Sequence, residues 1–458
     1  MNEEESRALH EKIKELLGEK NVKELKKLLA EENPVDIAEA LDGLDEKEIL
    51  LTYRLLPKES AADLFVAADP EFQEVLVKGF SDTELRAVMD EIYLDEAADL
   101  IEEMPANVVA RILKNTSNET RKSINALLLY PDDSAGSIMT PEYVSLYPNM
   151  TVEDAFAKIR REGVDKETVY TCYVTQNRKL VGVVSVRSML IADKDVKIGD
   201  IMHQNLITVE TTDDKEFVAA QFQKYGYLAI PVVDKEERLV GIVTIDDALE
   251  VMEDEATEDI EKMAAILPTE KPYMKTGVFA TWAKRIPWLL LLMVSATFTS
   301  QIINSFESAL TACIVLTGFI PMIMDTGGNA GGQASVTIIR GLSVGDIELR
   351  DVWRIIWKEV RVAFVCGLTI APVAFLKVLF IDRMFWQPDG FGFLVAAVVS
   401  LTLLFTIIVS KFIGCTLPLL AKRIGFDPAV MASPFITTIV DALALLLYFN
   451  VSKLLLGI

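Results

Sequence analysis

The chain has 458 residues, of which 51% are hydrophobic, and a formal net charge of −23 at pH 7. Residues 1–280 hold 32 basic and 58 acidic residues, a charge of −26, whereas residues 281–458 hold 13 basic and 10 acidic residues, a charge of +3. The acidic first part argues against a nucleic-acid partner, and two histidines with four scattered cysteines argue against a disulfide framework or a zinc or copper site.

Residues 1–132 are predicted to form an all-α superhelical domain. Three similar alanine-rich cores, at residues 38–41, 61–64 and 97–100, recur between prolines. Small residues on buried faces let short helices stack closely, as superhelical arrays do. The run at residues 90–103 is densely acidic, and it fits either a solvated helix face or a surface that attracts cations.

An internal repeat occupies residues 138–249. The dipeptide Ile-Met at position 138 recurs at position 201, and the run at 180–190 recurs at 239–249. Each copy alternates β-branched strands with helical patches, which predicts two similar α/β motifs over residues 133–196 and 197–254. The two motifs resemble a tandem CBS pair.

CBS pairs often bind adenine nucleotides, with a Ser/Thr-x-x-Asp turn that holds the ribose. The second motif keeps this turn as Thr244 and Asp247, whereas the first has Ser188 in place of the aspartate. Tyr170 and Arg187 could stack on a base and meet a phosphate. ATP is therefore a candidate ligand, and a purely structural dimerisation module is the alternative.

A second acidic run leads from the repeat toward the apolar part of the chain. It places seven carboxylates between residues 250 and 261, and residues 255–280 are predicted to form an acidic connecting helix. Facing acidic surfaces repel one another, and divalent ions between them remove that repulsion. Binding of such ions would favour a compact arrangement of the domains.

Residues 281–458 are predicted to form an α-helical membrane domain of five spans. The apolar stretches cover residues 286–304, 309–339, 360–380, 391–421 and 428–456. The connections on the N-terminal side hold nine lysines and arginines, against two on the other side. The positive-inside rule therefore places residues 1–280 in the cytosol and the C-terminus outside the cytoplasmic membrane.

Asp441 is the carboxylate of the fifth apolar stretch. At about 1.5 Å per residue it lies roughly 21 Å from the predicted helix start near residue 427, inside a hydrocarbon core of about 30 Å. A carboxylate at that depth is costly unless it faces water, a cation or a partner. Ser433, Thr437 and Thr438 share its helix face, and this ladder suits a hydrated hard cation such as Mg²⁺. A protonated, hydrogen-bonded Asp441 is the alternative.

The second apolar stretch contains four glycines, an aspartate and an asparagine within residues 321–333. Glycines let helix backbones approach closely or turn their carbonyls toward a cavity, so Gly328 and Asn329 are candidates for lining an ion path. Tight packing alone is the alternative. One aspartate per chain is few for a divalent ion, and a two-fold dimer with its axis along the path would supply two.

Two segments resemble the MgtE family of Mg²⁺ channels and transporters. They are Pro321 with Gly-Gly-Asn-Ala-Gly at 327–331, and the run from Asp427-Pro to Asp441. The resemblance covers essentially the whole chain, and it implies a homodimer with a central pore and Asp441 as its shared ion-binding carboxylate. Ser433 departs from the asparagine that is expected in some relatives.

The same resemblance implies that high cytosolic Mg²⁺ compacts the soluble domains and closes the pore through the connecting helix. The predicted regulatory ligands are Asp95, Glu216, Asp247, Glu255, Glu258 and Asp259.

The leading interpretation is a Mg²⁺-selective, Mg²⁺-gated channel, a multidomain membrane protein whose partners are lipid and a second copy of the chain. Two alternatives stay open: a secondary transporter of other divalent ions such as Mn²⁺ or Co²⁺, and a membrane-anchored CBS sensor of nucleotide or ion levels. An enzyme is not expected, because the sequence has no P-loop and no nucleophile–base pair stands out.

Overall fold

The computed structural model describes residues 3–269, 273–382, 384, 392–431 and 433–457. Close contacts divide the chain into two units, Met1–Met252 and Glu253–Ile458. Each unit is described by itself below.

The first unit opens with short helices that stack on one another. Within the described residues these are α1 (Glu3–Gly18), α2 (Val22–Glu31), α3 (Pro34–Leu41), α4 (Glu46–Tyr53), α5 (Lys58–Ala67), α6 (Pro70–Gly79), α7 (Asp82–Met89), α8 (Leu94–Glu103), α9 (Ala106–Asn115) and α10 (Asn118–Leu127). Most of these helices pack on the second one along the chain, as α1 does on α3, α3 on α5, and α8 on α10, whereas α2 packs on α1. This is the stacking of a superhelix, and it confirms the predicted fold of this domain.

The ends of these helices follow from local sequence. Proline begins α3 and α6 at the first turn, where its missing N–H costs nothing. Reciprocal capping boxes fix other starts: at α7 the Ser81 backbone N–H donates to Glu84 at 2.7 Å, and the Glu84 N–H donates back to the Ser81 hydroxyl at 3.2 Å. Buried leucines, isoleucines and alanines of the helices form one apolar core, which continues into the second half of the α/β region.

The repeat folds as two matching three-stranded sheets. The first has the order β1 (Tyr143–Leu146), β2 (Thr168–Gln176) and β3 (Lys179–Ser185), and the second has the order β4 (Val209–Glu210), β5 (Ala229–Val233) and β6 (Leu239–Thr244). In each sheet the first pair of strands is parallel and the second pair is antiparallel. The helices of this region are α11 (Val152–Glu162), α12 (Val186–Ile191), α13 (Ile198–Ile201) and α14 (Lys215–Tyr225). The predicted tandem α/β pair is confirmed.

A long acidic helix, α15 (Ile245–Met263), follows the last strand. It ends because Ala265 adopts a left-handed backbone with φ 56°, and the Ile266 N–H donates to the Glu261 carbonyl at 2.9 Å, a Schellman closure. The prediction placed a connecting helix over residues 255–280. The described part of that segment differs, because α15 begins inside the second motif and ends well before residue 280, and residues 270–272 lie outside the described chain.

The second unit is built from long apolar helices. They are α16 (Val278–Ser305), α17 (Glu307–Ala312), α18 (Ile320–Ser343), α19 (Val352–Leu376), which continues as a π-helix over Lys377–Asp382, α20 (Phe393–Arg423) and α21 (Ser433–Leu456). Helix α18 packs on α20 and α21, and α19 packs on α20.

The described residues contain four helical segments that are long and apolar enough to cross a membrane: Val278–Ser305, Leu349–Asp382, Phe393–Arg423 and Pro428–Leu456. The predicted count of five spans is therefore not confirmed. The missing one is α18, which is 24 residues long but carries Asp325, Asn329, Gln333 and several glycines that lower its hydropathy.

Candidate functional site

Helix α18 has one polar face and one glycine face. Asp325, Asn329, Gln333 and Thr337 are spaced four residues apart and all are exposed in the single chain. The spacing places them in a row along one side of the helix. We call these four residues the polar stripe.

The opposite face of α18 packs so closely on its neighbours that its glycines leave no room for a side chain. A Cβ atom at Gly327 would lie 2.9 Å from Val440, one at Gly331 would lie 2.8 Å from Ile436, and Gly414 of α20 approaches the Gly331 carbonyl to 2.2 Å measured from such a Cβ. Only glycine fits these contacts. They hold α18 against α21, the helix that carries Asp441.

Asp441 is half-buried on α21, one turn after Thr437 and Thr438, which are also half-buried. Both threonine hydroxyls donate to the Pro434 carbonyl, at 2.9 and 3.0 Å, which leaves their oxygen lone pairs available as acceptors. Among the described residues nothing forms a hydrogen bond or ion pair with Asp441, and the charge that acts on it is that of Asp325. Two carboxylates therefore share this region of the chain.

The structure brings most of the predicted ion-path residues together. Gly328 lies against Thr437, and Asn329 belongs to the polar stripe. Ser433 begins α21, but its side chain lies outside the described part of the chain. Asp325 and Gln333 were not among the predicted path residues, although their four-residue spacing from Asn329 places them on the same helix face.

A buried ion pair in the second unit was also missed. Lys411 of α20 and Glu359 of α19 are 7% and 11% exposed, with 3.9 Å between the Lys411 Nζ and a Glu359 carboxylate oxygen. Both residues belong to segments apolar enough to cross a membrane. Charges at such positions persist only in pairs or at functional sites.

The predicted regulatory residues Asp95 and Asp247 meet in the first unit. Asp95 of α8 is 7% exposed, and its Oδ1 has no hydrogen-bond partner among the described residues. Burial, and then the charges of Asp247 and Glu96, raise the pKa of Asp95 to about 8. Asp247 accepts hydrogen bonds from the Thr244 hydroxyl and from the Thr244 N–H at 3.2 Å, and burial raises its pKa.

Two further carboxylates, Glu167 and Glu96, belong to this cluster, although neither was among the predicted ligands. Burial, and then the charges of Asp95 and Glu96, raise the pKa of Glu167 to about 8, and burial raises that of Glu96 to about 7. Carboxylate oxygens are the ligands that Mg²⁺ prefers, and an unpartnered buried Asp95 oxygen fits such an ion or a proton. Among the described residues, however, no three His, Cys, Asp or Glu side chains are grouped closely enough to hold one metal ion by themselves.

Glu216 is exposed in the first turn of α14. The predicted ligands Glu258 and Asp259 lie in the second unit. There Lys262 bridges Glu258 and Asp427, with Nζ to oxygen distances of 2.6 and 2.7 Å.

These ion pairs shift the pKa values of the groups at the end of α15. Burial alone would lower the pKa of Lys262, but the hydrogen bonds of Asp427 and Glu258 outweigh it and raise the pKa. Burial, and then the charge of Asp427, raise the pKa of Asp259. Glu255 lies two turns before Lys262 on the same helix and is half-buried. Lys262 and Asp427 were not predicted, because their pairing joins parts of the chain that are far apart in sequence.

A cleft of about 850 Å³ lies between the two halves of the α/β pair. Its lining includes Thr171, Ser185, His203 and Tyr227. Tyr170 and Arg187, predicted to contact a nucleotide, are exposed neighbours in sequence of these lining residues. Thr244 and Asp247 are not among the lining residues, and Asp247 belongs to the acidic cluster. In the first motif the Ser185 and Ser188 hydroxyls bond to each other at 2.8 Å.

Comparison with known proteins finds relatives of nearly the whole chain and family models that match three parts of it. Residues 320–451 match the MgtE family described as divalent cation transporter, residues 32–133 match the MgtE intracellular N domain, and residues 135–195 and 198–254 match CBS domains. The magnesium transporter MgtE of Thermus thermophilus is 37% identical over 449 residues, which cover 97% of this chain and 98% of that protein. The magnesium transporter MgtE of Bacillus subtilis is 31% identical over 443 residues, 95% of each chain.

Two solved structures resemble the first part of the chain. The cytosolic domain of the Mg²⁺ channel MgtE in complex with ATP is 36% identical, with a TM-score of 0.50, and the match covers 52% of this chain and 98% of that one. The soluble part of a magnesium transporter is 32% identical, with a TM-score of 0.51, and the match covers 55% of this chain and 99% of that one.

A helical N-terminal domain, a CBS pair and several bilayer-length apolar helices define the class, a multi-pass membrane protein of a divalent cation transporter family. The chain belongs to the MgtE family. The resemblance noted in the sequence is thereby confirmed, and so is the predicted fold class apart from its count of five spans. The family is one of transporters rather than enzymes.

Proposed function

We propose that the chain transports Mg²⁺ across the cytoplasmic membrane as a homodimer. The observation that carries the proposal is the polar stripe of α18, whose Asp325, Asn329 and Gln333 are exposed in the single chain although α18 packs among the membrane-length helices. Polar side chains on a helix that packs among membrane-spanning helices require water, an ion or another subunit beside them. Two facing copies of the stripe would enclose a hydrated path with Asp441 beside it.

The chemistry of the path favours a hydrated, hard cation. Carboxylate, amide and hydroxyl oxygens line it, with no described imidazole or thiol among the residues named. Mg²⁺ dehydrates reluctantly and is usually held by one or two carboxylates with water completing its shell. Asp441 from each of two protomers supplies that number. The named magnesium transporters among the relatives support the same ion.

Gating by cytosolic Mg²⁺ is supported by carboxylate clusters in both units. Asp95 and Asp247 in the first unit carry charges that burial and mutual repulsion disfavour. A divalent ion would neutralise that repulsion and hold α8 against the second CBS motif. In the second unit Glu258, Asp259 and Asp427 surround the end of α15, and they are the groups through which Mg²⁺ would act on the segment that precedes α16.

ATP is the proposed nucleotide, and the large cleft near Ser185 is its proposed site. A cleft of about 850 Å³ has the size of a cofactor site. A related cytosolic domain was crystallised with ATP. Ser188 offers a hydroxyl where the repeat has the Asp247 carboxylate, so the ribose contact would be weaker than a charged one.

Residues 1–280 are proposed to be cytosolic and the C-terminus extracytoplasmic.

Ion flux through the purified full-length protein in liposomes tests the proposal. Mg²⁺ entry should exceed that of Ca²⁺, Mn²⁺ and Co²⁺, and Asp441→Asn should abolish it because an amide cannot supply the charge. Asp325→Asn should lower the flux by about tenfold, the effect of losing one partly screened charge near the ion. Glu307→Gln, an exposed carboxylate of α17 outside the stripe, is the matched control. Normal Mg²⁺ entry through Asp441→Asn would overturn the proposed path.

A further inference from the structure

A second polar cleft lies elsewhere in the α/β pair, away from the larger one. It encloses about 470 Å³ between the outer face of β1, the turn after β2 and the turn before β6. Its lining includes Tyr143, Ser145, Thr175, Arg178 and Arg238, and shares no residue with the larger cleft. Its size suits a small phosphorylated molecule.

The positive charges at this cleft are not equally engaged. Arg238 is neutralised by Asp234, with Nε to Oδ2 at 2.7 Å, and by Glu236, with Nη2 to Oε2 at 2.6 Å. Arg178 has no hydrogen-bond acceptor or ion-pair partner for its guanidinium among the described residues, and its charge acts on the Tyr143 hydroxyl. Arg178 is therefore the cation that remains available to a ligand.

The backbone at Arg178 is strained. Asn177 and Arg178 form the two-residue loop between β2 and β3, with φ of 54° and 69°. Such a left-handed hairpin loop strongly favours Asn-Gly, and here the second position carries arginine instead of glycine. The strained backbone of a non-glycine residue at the rim of a cleft motivates the hypothesis that its side chain is used there.

Further donors converge on the same space. The Ser145 and Thr175 hydroxyls lie 3.1 Å apart, so one hydrogen joins them and the other hydroxyl hydrogen is free to donate into the cleft. The Lys158 ammonium does not line the cleft, because it donates to the Ser145 carbonyl at 2.6 Å and pairs with a Glu162 oxygen at 3.6 Å. This site lies within a region of the chain that is otherwise strongly acidic.

We propose that this cleft binds a phosphoryl group, with the Arg178 guanidinium as its main ligand and the hydroxyls of Ser145 and Thr175 as additional donors. A guanidinium fork matches phosphate oxygens in a bidentate manner, and hydroxyl donors complete the shell. The phosphoryl group comes from a soluble phosphomonoester, because the cleft is larger than inorganic phosphate requires.

Calorimetric titration of the full-length protein in detergent tests the site, with inorganic phosphate and ribose 5-phosphate as separate probes. The larger cleft is expected to prefer adenine nucleotides. Ribose 5-phosphate lacks an adenine base, so its binding should report on the smaller cleft. Arg178→Gly should weaken its binding by at least about tenfold, the value of a charge-assisted hydrogen bond, while relieving the strained turn. The affinity of Arg178→Lys for ribose 5-phosphate should lie between those of the wild type and Arg178→Gly, because an ammonium keeps the charge but cannot bind in a bidentate manner.

Lys20→Gly is the matched control, since it also removes one positive charge at a non-glycine residue with positive φ (56°), and Lys20, in the turn after α1, does not line the cleft. It should leave binding unchanged. Tighter binding of ribose 5-phosphate than of phosphate supports the ester. Equal binding of the two probes overturns the ester as the source, and equal binding to the wild type and Arg178→Gly, or no saturable binding of either probe, overturns the site.

Discussion

Gly328 of α18 lies directly against Thr437 of α21, so closely that a Cβ atom on Gly328 would come within 2.8 Å of the Thr437 Cγ2. Asn329 follows on the polar stripe, and Asp441 lies one turn beyond Thr437. The contact therefore sets the distance between the two helices that carry the proposed ion path. A change of that distance would be felt by every polar group along it.

Gly328→Ala is expected to lower Mg²⁺ flux strongly and to destabilise the second unit by about 1–3 kcal/mol, because the added methyl group overpacks a tight helix contact. Flux into liposomes and thermal unfolding of the purified protein measure the two effects. Gly318→Ala is the control, since a Cβ atom at Gly318 meets nothing within 4 Å. Wild-type flux in Gly328→Ala would show that this contact does not shape the path.

Part of this site could be read from sequence. The four-residue spacing of the hydroxyls before Asp441 placed them on one helix face, and the repeat predicted both α/β motifs. Which face of α18 is buried could not be read, because glycines and polar residues alternate there and only packing on α20 and α21 decides between them. For that reason Asp325 was noted as an unusual aspartate but was not predicted to line the path beside Asn329.

Contacts between distant parts of the chain explain the other differences. The Thr244–Asp247 turn carries the sequence pattern of a ribose-binding turn, yet in the fold the acidic helix α8 faces it and Asp247 interacts with Asp95. The bridge from Lys262 to Asp427 likewise depends on how the segment before α21 returns to α15. Local patterns carry no information about such pairings, because they arise from the packing of elements that are remote in sequence.

Lys262→Gln is expected to make the end of α15 depend on divalent ions. Without the ammonium, Glu258, Asp259 and Asp427 repel one another. A half-exposed ion pair stabilises by about 1 kcal/mol, so its loss should make a protease cut the segment after Met263 roughly fivefold faster. Millimolar Mg²⁺ should restore protection by replacing the lost charge. Limited proteolysis with and without Mg²⁺ measures this.

The control for that experiment is Lys194→Gln, which removes an exposed ion pair with Glu153 on the protein surface. Its digestion should match that of the wild type. If Lys262→Gln is cut at the same rate with and without Mg²⁺, the carboxylates around α15 do not bind the ion and this part of the gating proposal fails.

Stability of the first unit should fall as pH rises from about 4 to about 8. The pKa of Asp95 is raised from 3.8 to about 8 and that of Glu167 from 4.5 to about 8, so the folded state binds more protons than the unfolded state in this window. Deprotonation above it leaves buried, repelling carboxylates. Mg²⁺ should therefore raise the unfolding temperature more at pH 8 than at pH 5.

Asp95→Asn isolates this effect, because the amide cannot ionise and should flatten the decline between pH 5 and pH 8 and reduce the gain from Mg²⁺. Glu31→Gln, a carboxylate in an exposed pair with Lys27, is the control and should keep the wild-type profile. Differential scanning calorimetry at several pH values measures the profiles. A decline as steep in Asp95→Asn as in the wild type would contradict the assignment of the slope to this cluster.

The buried pair of Glu359 and Lys411 predicts that each single variant is less stable than the double variant. Each charge is almost fully enclosed and has the other as its described partner at 3.9 Å, so Glu359→Gln alone or Lys411→Met alone should destabilise the second unit by roughly 3–5 kcal/mol. The double variant removes both charges and should recover most of that loss, because no unpaired charge remains. Thermal unfolding of all four proteins in detergent, analysed as a double-mutant cycle, measures the coupling. Strictly additive losses would show that the two charges stabilise the helices independently, and the pair would then not hold α19 against α20.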